Sequence, residues 1–143
     1  MKILIAEDEP ISRLFLEKTL QRLGYEVRAC KDGGEAWEAY QKSDYHIVIS
    51  DWMMPGTDGL ELCRRIRQNS RPSYCYFMML TMRASKADFL EAMDAGADDY
   101  LTKPLDADEI EVRLRVAERI LAFQKSGGTV PEIPKLFKPV DAA

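Results

Sequence analysis

The chain is poor in the residues that build disulfide frameworks, soft-metal cages, membrane spans and nucleic-acid grips. It has one histidine and three cysteines. Cys30, Cys63 and Cys75 are odd in number and show neither a Cys-x-x-Cys nor a paired spacing. That pattern argues against a disulfide or zinc site and for small apolar residues in a reducing compartment. His46 has no Cys or His neighbour to share a metal with and reads as structural filler. No apolar run approaches the roughly 18 residues that cross a bilayer. Ile3-Leu4-Ile5-Ala6 passes at once into Glu7-Asp8-Glu9, too short and too soon acidic for a secretory signal. No membrane partner is expected, and the location expected is cytoplasmic. Basic charge is not in excess either: 20 Lys and Arg stand against 24 Asp and Glu, a net charge of -4. Direct contact with nucleic acid is therefore not expected.

What remains is an ordinary globular composition, 46% hydrophobic and 31% charged over 143 residues, enough for one domain with a real core. Apolar runs of strand length recur at Lys2 to Ala6, Tyr25 to Cys30, His46 to Ser50, Cys75 to Leu80 and Asp99 to Thr102. Helical periodicity fills the gaps. The first helix, Ile11 to Leu23, places Ile11, Leu14, Phe15, Leu16, Leu20 and Leu23 mainly on one side, with Pro10 in its first turn and Gly24 as a stop. Asp58 with Glu61, Ser85 with Asp88 and Asp106 with Glu109 have the spacing of capping boxes, and Gly96 ends the helix begun at Ser85. Five alternations of strand and helix imply a parallel sheet covered on both faces. The domain is expected to span 1–124. Residues 125–143, with paired glycines and three prolines, read as a tail or the start of a linker.

Four acidic or polar stretches stand just past the predicted strands: Glu7-Asp8, Asp51, Thr81 and Lys103-Pro104. In a parallel sheet the carboxyl ends of the strands converge, so three carboxylates, a hydroxyl and an ammonium meet in one crevice. A carboxylate can attack a phosphoryl group and hold it as an acyl phosphate. The charge of the incoming group must be neutralised, which calls for a hard, oxygen-preferring cation such as Mg²⁺. Asp51 reads as the nucleophile, Asp8 as the direct metal ligand and Glu7 as an indirect one through water. The backbone carbonyl of Met53 can add another oxygen. Lys103 can pair with a phosphoryl oxygen and Thr81 can donate its hydroxyl to another.

Ile-Leu-Ile-Ala-Glu-Asp-Glu-Pro, Asp-x-x-Met-Pro-x-x-Asp-Gly from Asp51, Thr81, and Gly-Ala-Asp-Asp-Tyr-Leu-Thr-Lys-Pro from Gly96 occur in that order. From Lys2 to about Phe123 the chain thereby resembles the receiver domain of two-component response regulators. The resemblance implies a flavodoxin-like, doubly wound (βα)5 fold with a five-stranded parallel sheet of order 2-1-3-4-5. It implies a signalling switch, not an enzyme in the usual sense, which catalyses its own phosphorylation on Asp51 and a slow dephosphorylation. The phosphodonor would be a histidine kinase or phosphotransfer protein, and the outcome altered partner binding or output-domain activity. It also implies that Tyr100 is a switch aromatic coupled to Thr81 and that the Lys103-Pro104 peptide is cis. One residue departs from the family pattern: the position after the threonine is usually small, and here it is Met82. Met82 either restricts access to the phosphoryl site or swings aside, since methionine is adaptable; Met53 and Arg83 share this access-modulating position.

Two other function classes fit less well. A phosphatase of the haloacid dehalogenase type also uses Asp, Mg²⁺, Thr and Lys, but its nucleophile follows the first strand in Asp-x-Asp. A phosphorylation-independent interaction module usually lacks an acidic residue or the lysine, and none is missing here. Trp52, beside the nucleophile, reads as a partly buried packing residue whose fluorescence can report Mg²⁺. On the last helix, Ile110, Leu114, Ala117 and Leu121 form the stripe expected to face the sheet, and Val112, Val116, Ile120 and Phe123 form a second. That second stripe is expected to be the seam of a homodimer, unless the tail folds back over it with Ile133, Leu136 and Phe137.

Overall fold

The computed structural model describes residues 1–69, 71–83 and 85–128. Five strands alternate with five helices: β1 (Lys2–Ala6), α1 (Pro10–Arg22), β2 (Glu26–Cys30), α2 (Gly33–Lys42), β3 (Ile47–Asp51), α3 (Gly59–Gln68), β4 (Tyr76–Thr81), α4 (Lys86–Asp94), β5 (Asp99–Thr102) and α5 (Ala107–Lys125). The strands are all parallel and lie in the order 2-1-3-4-5. Every expected strand is present, shifted by no more than one residue at either end.

Burial explains which strands take the centre. Along β1, β3 and β4 nearly every side chain is buried on both faces. Each aliphatic side chain left in water would forfeit roughly 2 kcal/mol, so such strands are held away from an edge. Strand β2 exposes Glu26 and Arg28, and β5 is only half buried; these two form the edges. Alternate residues feed two cores. Ile3, Ile5, Ile47, Ile49, Met78 and Leu80 pack with Leu16 and Leu20 of α1 and with Ile110, Leu114, Ala117 and Leu121 of α5. Leu4, Val48, Phe77 and Met79 pack against α2, α3 and α4 on the other face.

The helix starts follow local chemistry. Asp58 accepts from the Glu61 N–H, Ser85 from that of Asp88, and Asp106 from those of Asp108 and Glu109, at the three caps the spacing indicates. Glu9 caps α1 by accepting from the N–H groups of Ile11 and Ser12, and Asp32 caps α2 through Glu35. Gly59 has to be glycine for the β3–α3 turn to close, because a Cβ there would lie 2.2 Å from the Asp51 carbonyl oxygen. Asp98 ties β5 to its neighbours, accepting from the Arg67 guanidinium at 2.7 Å, the Phe77 N–H at 2.9 Å and the Tyr74 hydroxyl.

Two readings of helix faces need correction. In α1 the buried side is Leu16, Thr19 and Leu20, while Ile11 is 78% and Leu14 54% exposed, with Phe15 and Leu23 also outside. The apolar residues of this helix spread over more than one face, and the sheet takes the narrower set. On α5 the first stripe is buried as expected. The second is divided: Val112 and Phe123 are exposed, Val116 is half-buried, and Ile120 is half-buried against the α1/α5 core. Covering residues Ile133, Leu136 and Phe137 lie outside the described residues, as does most of the 125–143 segment. His46 is exposed, and its Nδ1 accepts from the Lys2 N–H at 3.0 Å. All three cysteines are buried and free, and burial pushes their thiols up, Cys30 to about 11 and Cys63 and Cys75 to about 12, which makes them inert packing groups. Among the described residues no helix is long and apolar enough to cross a membrane.

Candidate functional site

The strand order decides where the chemistry gathers. Consecutive β1 and β2 lie to one side of β3 and the later strands to the other, so the crevice opens at the carboxyl ends of β1 and β3. Glu7 and Asp8 leave β1 there, and Asp51 is the last residue of β3. One carboxylate oxygen from each of Glu7, Asp8 and Asp51 lies within 4.8 Å of the other two. Thr81 ends β4, one residue beyond the Asp51–Leu80 register, and is fully buried. Lys103 follows β5, its amide donating to the Thr81 carbonyl at 2.9 Å, and its peptide bond to Pro104 is cis.

Lys103 closes the cluster. Its Nζ donates to Glu7 Oε1 at 2.7 Å and to Asp51 Oδ2 at 3.0 Å, with its side chain 14% exposed. Burial works against the ammonium charge, yet the hydrogen bonds to Glu7 and Asp51 outweigh it and hold Lys103 above its usual value. For Glu7 the balance tips the other way. Burial, aided by Asp51 and opposed by Lys103, pushes its carboxyl up to about 7. Its second oxygen, Oε2, is buried without a hydrogen-bond partner. Asp8 is exposed, and among the described residues no cation pairs with it.

These features fit a hard divalent cation. The donors are all carboxylate oxygens, they converge on one point, one of them is buried and unpartnered, and one lysine cannot balance three negative charges. The acidic cluster can therefore bind a metal ion. Glu7, Asp8 and Asp51 would hold it, and it would supply neutralisation of negative charge at the Asp51 carboxylate.

The rim is formed by the β3–α3 and β4–α4 loops. Trp52 is 2% exposed, more buried than its sequence suggests. The Arg83 guanidinium lies 4.8 Å from the centre of the Trp52 ring, and its Nη1 stands 3.7 Å from Asp88. Met53 is 57% exposed and Met82 77%, so the Met82 side chain is turned outward. Thr81 and Tyr100 meet at the Arg83 backbone. The Thr81 Oγ1 accepts from the Arg83 N–H at 2.9 Å, and the Tyr100 hydroxyl donates to the Arg83 carbonyl. Tyr100 also packs edge-on against Trp52 and Phe89.

The structure thus brings together Glu7, Asp8, Asp51 and Lys103 and places Thr81 beside them. Val112, Val116, Ile120 and Phe123 lie apart on α5. Sequence reasoning passed over Arg13, whose Nη1 donates to the Glu7 carbonyl at 2.9 Å. Its signal was a cation near the start of a helix, where the macrodipole disfavours one.

Residues 3–115 match the family model described as the response regulator receiver domain. The chain is 38% identical over 136 residues to the transcriptional regulatory protein TcrA of Mycobacterium tuberculosis, covering 95% of this chain and 50% of that one. It is 36% identical over 118 residues to the chemotaxis protein CheY1 of Helicobacter pylori, covering 81% of this chain and 95% of that one. It therefore spans about half the length of TcrA and nearly all of CheY1. Among solved structures, the chemotaxis protein CheY4 of Vibrio cholerae superposes with a TM-score of 0.77 at 32% identity, over 81% of this chain and 97% of that one.

Proposed function

The chain belongs to the response regulator receiver domain family, and from that premise we propose that it is a phosphorylation-activated switch whose phosphoacceptor is Asp51. The observation that carries this reading is the convergence of the Asp51 carboxylate with those of Glu7 and Asp8 and with the ammonium of Lys103, which bridges Asp51 and Glu7. The donor is a phosphorylated histidine on a kinase or phosphotransfer protein. An Asp51 carboxylate oxygen attacks phosphorus, the P–N bond breaks, and the released imidazole nitrogen takes a proton from solvent.

Mg²⁺ is the proposed cation, with Asp8 as its direct ligand, Glu7 acting through water and the Met53 carbonyl adding an oxygen. Lys103 pairs with a phosphoryl oxygen as a point charge, and Thr81 rotates its side chain to donate its hydroxyl to another, carrying Oγ1 away from the Arg83 N–H. That turn removes the acceptor of the Arg83 N–H, and the Arg83 carbonyl is what Tyr100 holds. Switching thus runs from Thr81 through the Arg83 backbone to Tyr100. Met53, Met82 and Arg83 stand at the mouth, where Met53 and Arg83 tune access and the outward-turned Met82 contributes little.

The domain proposed is 1–124, with 125–143 as a tail or linker, acting in the cytoplasm without direct contact with nucleic acid or membrane. A second copy is proposed to dock along α5, where Val112 and Phe123 are exposed beside a shallow groove lined by Val112, Arg115, Glu118, Arg119 and Ala122. The test of the switch is transfer from a phosphohistidine donor. The wild type should accept one phosphoryl group with Mg²⁺ and none with chelator, and labelling that ignores the chelator would overturn the proposal.

A further inference from the structure

Arg13 takes no part in the chemistry above, yet its place is unfavourable for a cation. It is the fourth residue of α1, near the positive end of the helix dipole. Its guanidinium Nη1 donates to the Glu7 carbonyl at 2.9 Å and reaches the Asp8 carbonyl at 3.4 Å. These two carbonyls belong to the peptide planes on either side of the Asp8 Cα.

The β1–α1 turn is three residues long, and each end is fixed separately. The Glu7 N–H donates to the Cys30 carbonyl at 3.0 Å, which fixes the strand side. The Glu9 carboxylate accepts from the Ile11 and Ser12 N–H groups, which fixes the helix side. Asp8 lies between, and among the described residues its carboxylate has no hydrogen-bond or ion-pair partner to aim it. Its direction follows from its backbone, and Arg13 grips that backbone from both sides.

We propose that Arg13 is a positioning residue for the metal-binding turn, fixing the direction of the Asp8 carboxylate through the two peptide planes that flank it. The inference rests on the metal reading given above. Two effects of opposite sign separate it from its rival. As a mere charge beside the carboxylates, Arg13 repels a divalent cation, and its removal tightens binding. As a support for a ligand, its loss weakens binding, on the order of 10-fold for an outer-shell partner.

The experiment is calorimetric titration of Mg²⁺ into the full chain, with thermal melts of each metal-free variant alongside. Arg13→Ala should raise the Mg²⁺ dissociation constant about 10-fold. Arg13→Lys should recover part of the loss, because an ammonium keeps the charge and a nitrogen able to donate to both carbonyls, but carries it on a shorter, more flexible stem without the rigid guanidinium plane. Should Arg13→Ala fail to fold, Arg13→Gln, neutral and still a donor, should weaken binding by less. Unchanged or tighter binding in the neutral variants, with or without a lowered melting temperature, overturns the positioning role. A wild type that does not bind Mg²⁺ saturably overturns the metal reading and this inference with it.

Discussion

The Lys103 ammonium stands 2.7 Å from Glu7 Oε1, so a residue after β5 supplies the counter-ion for a buried acid at the end of β1. The same ammonium reaches Asp51 at 3.0 Å. A lysine shared in this way keeps the metal-free cluster together, and it engages only one of the two Asp51 carboxylate oxygens.

The raised Glu7 pKa gives a signed pH dependence. Between its ordinary value of 4.5 and its folded value of about 7, the folded chain holds more of this proton than the unfolded chain does. Its stabilising contribution is therefore present below 4.5 and is lost as pH rises through about 7. Melts in chelator across that window should show this decline, and Glu7→Gln should flatten it. Mg²⁺ affinity should rise over the same window, since the metal competes with the proton.

Asp8→Asn is expected to uncouple stability from function. Removing an unpaired negative charge from a crowded cluster should raise the metal-free melting temperature by about 2–4 °C, the shift corresponding to roughly 1 kcal/mol in a chain of this size. Mg²⁺ titration should show a loss of affinity well beyond that of Glu7→Gln. The reverse order would exchange the direct and water-mediated ligands.

Met82, turned outward, should matter little. Met82→Ala is expected to change the rate of phosphorylation by acetyl phosphate by no more than about twofold, because a flexible exposed side chain excludes little from the site. A large acceleration would show that the side chain visits the mouth.

Most of the fold was legible because its signals were redundant: apolar strand runs, three capping residues at Asp58, Ser85 and Asp106, and Gly96 at a helix end all agreed. The acidic cluster was legible because strand ends converge in any parallel sheet. The face of α1 was misread, since Ile11, Leu14 and Phe15 match the buried residues in hydrophobicity and the sequence does not say which of them meets the sheet. Arg13 escaped because its partners are backbone carbonyls, which carry no sequence signature. The link from Thr81 through Arg83 to Tyr100 was hidden for the same reason.

The α5 seam predicts association that depends on phosphorylation. Sedimentation should show beryllofluoride raising the dimer share of the wild type but not of Val112→Glu, which places a charge at an exposed apolar position. A partial shift is expected, because nearly complete conversion needs on the order of 10⁴-fold preference between states. A wild type that stays monomeric with and without beryllofluoride removes the homodimer.

The acyl phosphate on Asp51 is the central claim, and borohydride trapping tests it most directly. Reduction of an aspartyl phosphate leaves homoserine at the reacted position, which peptide mass mapping locates. After incubation with donor and Mg²⁺, homoserine should appear at position 51, and it should be absent in chelator and in Asp51→Asn. Homoserine at another aspartate, or equal labelling of Asp51→Asn, would contradict the account.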